Sequence, residues 1–149
     1  MKRSPGKMQA KYHETAITVR FNEIDAYNVA WHGHYVTWME VGRNDLAGRF
    51  GLNAEDISAA GFLAPVVLLE LKYLRSARFN EELRIRTSLR RMETATLEFN
   101  TTIIGADGKK CAVGRTVLSL VDRGGTLQYS LPPAIKERVE RLLAWQEDI

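Results

Sequence analysis

One cysteine, Cys111, is the whole thiol content of this 149-residue chain. A lone thiol cannot close an internal disulfide, and no Cys/His spacing suits a metal, so a reducing, cytoplasmic setting is expected and no metal centre. Long apolar runs are missing too. No stretch of ~20 apolar residues occurs, and no apolar h-region follows the basic Met1–Lys7 segment, so neither a membrane helix nor a signal peptide is expected. Met1–Lys7 itself, which contains Gly and Pro, is expected to be disordered. Charge of one sign is scarce: the net charge of +3 is a mild excess, not the Lys/Arg block of a nucleic-acid binder. Nucleophile elbows of the Gly-x-Ser-x-Gly type, Walker loops and Gly-rich dinucleotide fingerprints are all absent. No cysteine has a histidine and an orienting acid close by. What remains is chemistry without a cofactor.

With 45% hydrophobic residues the chain can bury a core, and its length fits one domain of ~100–200 residues. Residues Glu14 to Phe21 read as a strand rich in β-branched residues. From Tyr35 to Phe50 apolar positions cover more than half of a helix circumference, which calls for burial on several sides. Gly42 in that helix costs roughly 1 kcal/mol against Ala unless it admits a close sheet backbone. Asn53 to Gly61 reads as a short helix with Asn53 as N-cap. Strands are expected over Val66–Tyr73, Glu82–Arg91, Thr94–Ile104 and Lys110–Val121, with Asp107-Gly108 as a hairpin turn. Pro132-Pro133 opens a terminal helix over Pro133–Trp145, with Ile135, Val139, Leu142 and Leu143 on one face. Strand, buried helix, short helix and then meandering strands is an α+β order.

The chemistry concentrates between Val19 and Leu46. Asp25 stands at the end of a strand, and His32 follows seven residues later where the helix begins. A helix start presents unpaired N–H groups and a positive dipole end, suited to a developing oxyanion. Ile24, Ala26, Val29 and Ala30 give Asp25 apolar sequence neighbours, which would raise its pKa if it were buried; the helix start would act oppositely. Asp25 can serve as nucleophile or as general base, or it can simply cap its turn as an Asx residue. His32 can orient a carbonyl or hold the carboxylate. Glu23 shares the Asp25 face if the segment stays extended. His34 reads as surface or interface, His13 carries no signal, and Glu40 with Arg43 reads as an i,i+3 ion pair.

These residues resemble the hotdog-fold acyl-CoA thioesterases of the 4-hydroxybenzoyl-CoA thioesterase family, whose pattern runs Phe-x-Asp-x-Asp, Gly-x-Val-x-x-His, then Tyr and a long helix. The family's catalytic Asp falls on Asp25 and its first acid on Glu23. Ala26-Tyr27-Asn28 stands in for a glycine turn, followed by Val29. His32 matches a branch-specific His, Tyr35 the aromatic that opens the helix, and Glu40 and Arg43 its Glu-x-x-Arg. The segment from Lys72 to Leu83 resembles the family's second strand and hairpin entry, and the likeness covers about residues 15 to 122.

The resemblance implies a hotdog fold, an antiparallel sheet of about five strands wrapped around the central helix. It implies dimers whose sheets join edge to edge, often paired again into tetramers, with active sites between protomers. The implied activity is hydrolysis of an acyl-CoA thioester, with Asp25 and His32 catalytic and Val29, Gly33 and Tyr35 in the substrate site; acyl carrier protein could replace CoA. The basic run Lys72, Arg75, Arg78, Arg84, Arg86, Arg90 and Arg91 offers partners for the CoA phosphates, Arg90 and Arg91 foremost. Two other readings use the same residues: a dehydratase or isomerase on acyl thioesters, and a non-catalytic acyl-thioester binder.

Overall fold

A computed structural model describes residues 11–148; the Met1–Lys7 expectation lies outside them. Ten elements follow one another: β1 (His13–Thr18), α1 (His34–Gly48), α2 (Ala54–Ala59), β2 (Phe62–Leu63), β3 (Val66–Tyr73), β4 (Glu82–Arg90), β5 (Thr96–Ile104), β6 (Lys110–Ser119), β7 (Val121–Asp122) and α3 (Pro133–Glu147). β1, β4, β5, β6 and β3, in that order, form one antiparallel sheet. α1 packs on β1, β4 and β5, and α3 on β4. The fold is the expected α+β hotdog.

Strand alternation sets the faces. Leu83, Ile85, Thr87 and Leu89 of β4 are buried, while Arg84 between them and Arg90 after them are exposed. α1 buries Tyr35, Trp38, Met39, Gly42, Leu46 and Ala47, a stripe at helical spacing. Gly42 earns its place by proximity: a Cβ there would stand 2.6 Å from Ile85 Cγ2 and 2.8 Å from Thr87 Oγ1. The helix therefore rests directly on β4, and the lost helix propensity is exchanged for contact. One core cluster joins Val19, Tyr35, Trp38, Met39, Ile85 and the buried thiol of Cys111. A second joins Leu46, Leu97, Phe99 and Leu120 to Ile135 and Leu142 of α3. The Gln146 side chain fastens α3 to β4, accepting from Leu89 N (2.7 Å) and donating to Leu89 O (2.8 Å).

Four details differ from the sequence expectation. β1 ends at Thr18, because Val19 turns into the core and Phe21–Glu23 form a single 3-10 turn. The short ribbon of β2 with β7 was not anticipated; Phe62–Leu63 and Val121–Asp122 are two residues each, too short for periodicity to register. α2 is shorter than read, although Asn53 does cap it, accepting from Asp56 N at 2.8 Å. His13 is buried rather than idle. Its Nε2 lies 2.5 Å from Asp45 Oδ2 on α1, and with Thr15 it holds the Asp45 carboxyl below the usual carboxylate range.

β3 is an edge strand with an unusual surface. Val66, Val67, Leu68, Leu69 and Tyr73 are all exposed, Val67 to 59%. An unpaired strand edge with this much apolar surface is a template for a further strand.

Candidate active site

The segment from Val19 to Gly33 is folded by its own backbone. Val19 N donates to Glu81 O and Asn80 N to Val19 O, both at 2.9 Å, which docks the segment beside the start of β4. After the 3-10 turn, Asp25 N donates to Val29 O (2.9 Å) and Asn28 N to Asp25 O (3.0 Å), closing a tight loop. Asn28 takes φ +61° at its tip. Asn tolerates this left-handed backbone better than other non-glycine residues, so the turn survives without glycine.

Asp25 does two things at once. Its Oδ1 accepts from Tyr27 N at 2.8 Å, an Asx turn. Oδ2 has no protein partner among the described residues. The side chain is half-buried in the wall of an open cavity of about 350 Å³. That cavity is lined by Asp25, Tyr27, Val29, Ala30, His32 and Tyr35 from one segment and by Tyr73, Leu74, Arg75 and Ser76 from another. Asp25, His32, Val29 and Tyr35 are thus brought together.

His32 is exposed on the rim, and its ring lies 5.0 Å from Trp31 and 6.4 Å from Tyr73, centroid to centroid. It makes no hydrogen bond to Asp25 among the described residues. Its carbonyl accepts from the Tyr73 hydroxyl at 2.7 Å, which fixes the peptide leading into α1. The N–H groups of His32 and Gly33 donate to no protein acceptor among the described residues, as expected just before a helix. Gly33 is the N-cap of α1 and stands behind the wall instead of in it. A Cβ there would fall 2.1 Å from the Trp31 ring, so only glycine allows the indole to lie across this peptide. Tyr35 is buried, and its hydroxyl accepts from Ala77 N at 2.8 Å, joining α1 to the opposite wall; burial pushes its phenol up.

Glu23 corrects the sequence reading. It does not share the cavity face; it is 2% exposed beneath the loop. Oε1 accepts from Arg20 N (2.8 Å) and Oε2 from Trp38 Nε1 (3.0 Å), while His34 Nδ1 stands 4.0 Å from Oε2. His34, read as surface or interface, is half-buried at the helix start. Glu40, exposed at its side chain, pairs with Arg43 at 3.5 Å on the next turn, the ion pair its spacing suggested.

Arg90 and Arg91 lie elsewhere in the protomer. They follow β4 to the end opposite Glu82, and neither lines the cavity. Arg90 pairs with Glu98 at 3.3 Å, and Arg91 with Glu140 (3.1 Å) and Glu147 (3.3 Å) of α3. Sequence reasoning missed Tyr73 and Arg75 as cavity-wall residues, Arg75 having been read only as part of the basic run. Arg75 holds its loop through Glu81 (2.5 Å), Asp107 (3.2 Å) and Ser76 O (2.8 Å). The signal for their place in the wall was the resemblance of the Lys72–Leu83 segment.

A larger groove of about 510 Å³ crosses β1 and β4, but its charges neutralise one another, Glu14 standing 3.7 Å from Arg84 and 3.1 Å from Arg86. It contains no helix start. Among the described residues no group of three or more His, Cys, Asp or Glu side chains could hold a metal.

Known proteins share this sequence and shape. Residues 19–139 match the thioesterase-like superfamily. A Synechocystis protein named as a candidate esterase is 29% identical over 134 residues, 89% of this chain and 81% of that one. A Bacillus subtilis protein named as a candidate acyl-CoA thioesterase is 34% identical over 71 residues, 48% of this chain and 51% of that one. The solved DHNA-CoA thioesterase of Staphylococcus aureus superposes with a TM-score of 0.79 at 25% identity, covering 89% of this chain and 91% of that one.

Proposed function

Because the chain belongs to the thioesterase-like superfamily, we propose that it hydrolyses an acyl-CoA thioester to a free carboxylic acid and CoA, with Asp25 supplying the essential oxygen. The observation that carries this reading is that Asp25, with an unengaged Oδ2, and His32, with an undonated N–H, line one cavity, while the undonated Gly33 N–H stands next behind them. A thioester carbonyl seated between them has an oxygen nucleophile or base on one side and oxyanion donors on the other.

Two routes use the same geometry. In one, Asp25 Oδ2 attacks the carbonyl carbon, CoA leaves as thiolate, and water hydrolyses the resulting mixed anhydride. In the other, Asp25 takes a proton from water, whose hydroxyl attacks the carbonyl directly. Either way the carbonyl oxygen carries the developing charge towards the start of α1. A thiol ionises near pH 8.5, so thiolate leaves without a strong general acid. Asp25 and the helix start are sufficient machinery.

The proposed working unit is a dimer, one hotdog domain per protomer, joined through the exposed β3 edge. Tyr73, on that edge, also holds the His32 carbonyl, so a partner strand would complete the cavity from the side the protomer leaves open. The direct test is thiol release from a panel of acyl-CoAs by the pure protein. Free thiol with the matching acid is the expected result. Double-bond chemistry without thiol, or tight acyl-CoA binding with no product, would overturn the assignment.

His32→Ala separates imidazole from backbone. If the oxyanion is met by N–H groups, which the substitution leaves in place, turnover falls about tenfold or less, against ~10²–10³-fold for loss of an oxyanion donor itself. A drop as deep as that of an Asp25 variant, in protein of unchanged circular dichroism, would make the ring a direct participant.

A further inference from the structure

The cations of the basic run are not equivalent. Between Lys72 and Arg91, the guanidinium groups of Arg75, Arg84, Arg86, Arg90 and Arg91 each stand within 4.0 Å of a carboxylate. Among the described residues Arg78 and Lys72 have no such partner. Lys72 points to the outer face of β3, opposite Val113 of β6. Arg78 instead stands two residues beyond the cavity wall of Leu74, Arg75 and Ser76, and it is exposed. A paired arginine has already spent its charge, whereas an unpaired exposed one can meet a phosphate at no cost in broken ion pairs.

The neighbourhood of Arg78 is aromatic. Phe79 is 55% exposed and Phe21 80% exposed, and their rings meet edge to face at 5.9 Å. Two phenyl rings in water, one of them next in sequence to an arginine without a carboxylate partner, are poor for solubility and well suited to a flat, anionic heteroaromatic ligand. The backbone beneath the ring pair is tied down, since Val19 N donates to Glu81 O, Asn80 N donates to Val19 O and Asn80 takes a left-handed turn at φ +63°.

We infer that Arg78, Phe21 and Phe79 form the seat of the nucleotide end of CoA, with the phosphates against Arg78 and the adenine on the phenyl rings. This rests on the acyl-CoA reading above. The thioester sits in the cavity, and the pantetheine arm leads out past Ser76 to a surface that offers both charge and stacking. Arg90 and Arg91, ion-paired at the far end of β4, then contribute nothing to nucleotide affinity.

The test compares an acyl-CoA with the N-acetylcysteamine thioester of the same acid, which lacks the nucleotide. Arg78→Ala is expected to raise KM for the acyl-CoA about tenfold, the scale of a hydrogen bond to a charged group, and to leave the short thioester unchanged. Arg78→Lys should recover part of the loss. Adenosine 3′,5′-bisphosphate should compete with acyl-CoA for the parent enzyme, more weakly as salt rises, and fail against Arg78→Ala. Phe21→Ala with Phe79→Ala, both exposed and tolerant of truncation, should weaken the same competition. The seat is overturned if Arg78→Ala binds acyl-CoA and the bisphosphate like the parent, or if Arg90→Ala with Arg91→Ala produces the KM change instead. If the bisphosphate binds in an Arg78-dependent manner but no thioester is cleaved, the seat stands and the hydrolase assignment falls.

Discussion

Asp25→Asn is expected to fold like the parent and to lose about 10²–10⁴-fold in kcat, the usual contribution of a positioned acid–base group. The expectation of intact folding follows from the two separate tasks of the carboxylate. Asn keeps an Oδ1 that can accept from Tyr27 N, so the Asx turn closes as before. What disappears is the charge and basicity of Oδ2, the oxygen with no protein partner. Asp25→Ala removes both and should cost stability as well as rate, which makes the pair informative. Rapid-mixing turnover, with circular dichroism as the control for folding, measures the effect. A folded Asp25→Asn enzyme of near-normal kcat would remove Asp25 from the mechanism. Glu40 would be a poor substitute, because its side chain is 58% exposed and tied to Arg43.

Glu23→Ala is expected to lower unfolding free energy by about 2–4 kcal/mol, since it strands the Arg20 N–H and the Trp38 indole N–H and leaves a void beneath the loop. Burial pushes the Glu23 carboxyl up, but the Arg20 N–H, the Trp38 indole and the Arg20 guanidinium together bring it below its ordinary value of 4.5. A carboxylate with a depressed folded pKa stabilises the fold above its unfolded pKa, and the contribution fades as pH falls through the folded value. The difference between parent and variant should therefore be full at pH 7 and shrink below pH 4.5. Urea midpoints across that range decide it. A gap that is small at pH 7, or independent of pH in the acid range, would mean that Glu23 is not the anchor described. Because Trp31 N also donates to Glu23 O, relaxation of this corner should carry into the helix start and lower activity too.

The sequence carried the fold further than the site. β3 was read at its observed limits, and Asn53 was read as the cap it is, because alternation and side-chain capping are local signals. The first strand was read three residues too long because Val19 and Phe21 look like strand residues. One enters the core and the other faces water, because Phe21 already opens the 3-10 turn that ends the extended chain. The same turn swung Glu23 away from Asp25, since counting by twos holds only while the chain stays extended. That Asp25 and His32 would share one cavity wall was legible because they lie seven residues apart on one segment. Tyr73, 41 residues from the carbonyl it holds, belongs to a different strand, and no periodicity links the two. His13 failed for a similar reason, its carboxylate lying 32 residues away on α1.

The buried sulfur of Cys111 has a practical corollary. It is 0% exposed, and burial pushes its thiol up, so little thiolate forms and none of it meets solvent. Disulfide reagents that register liberated CoA will therefore colour with product alone, not with native enzyme. The same reagent becomes a reporter of the protein's integrity: one equivalent of slow colour without substrate would mark molecules whose interior has opened, and its rate would time that opening.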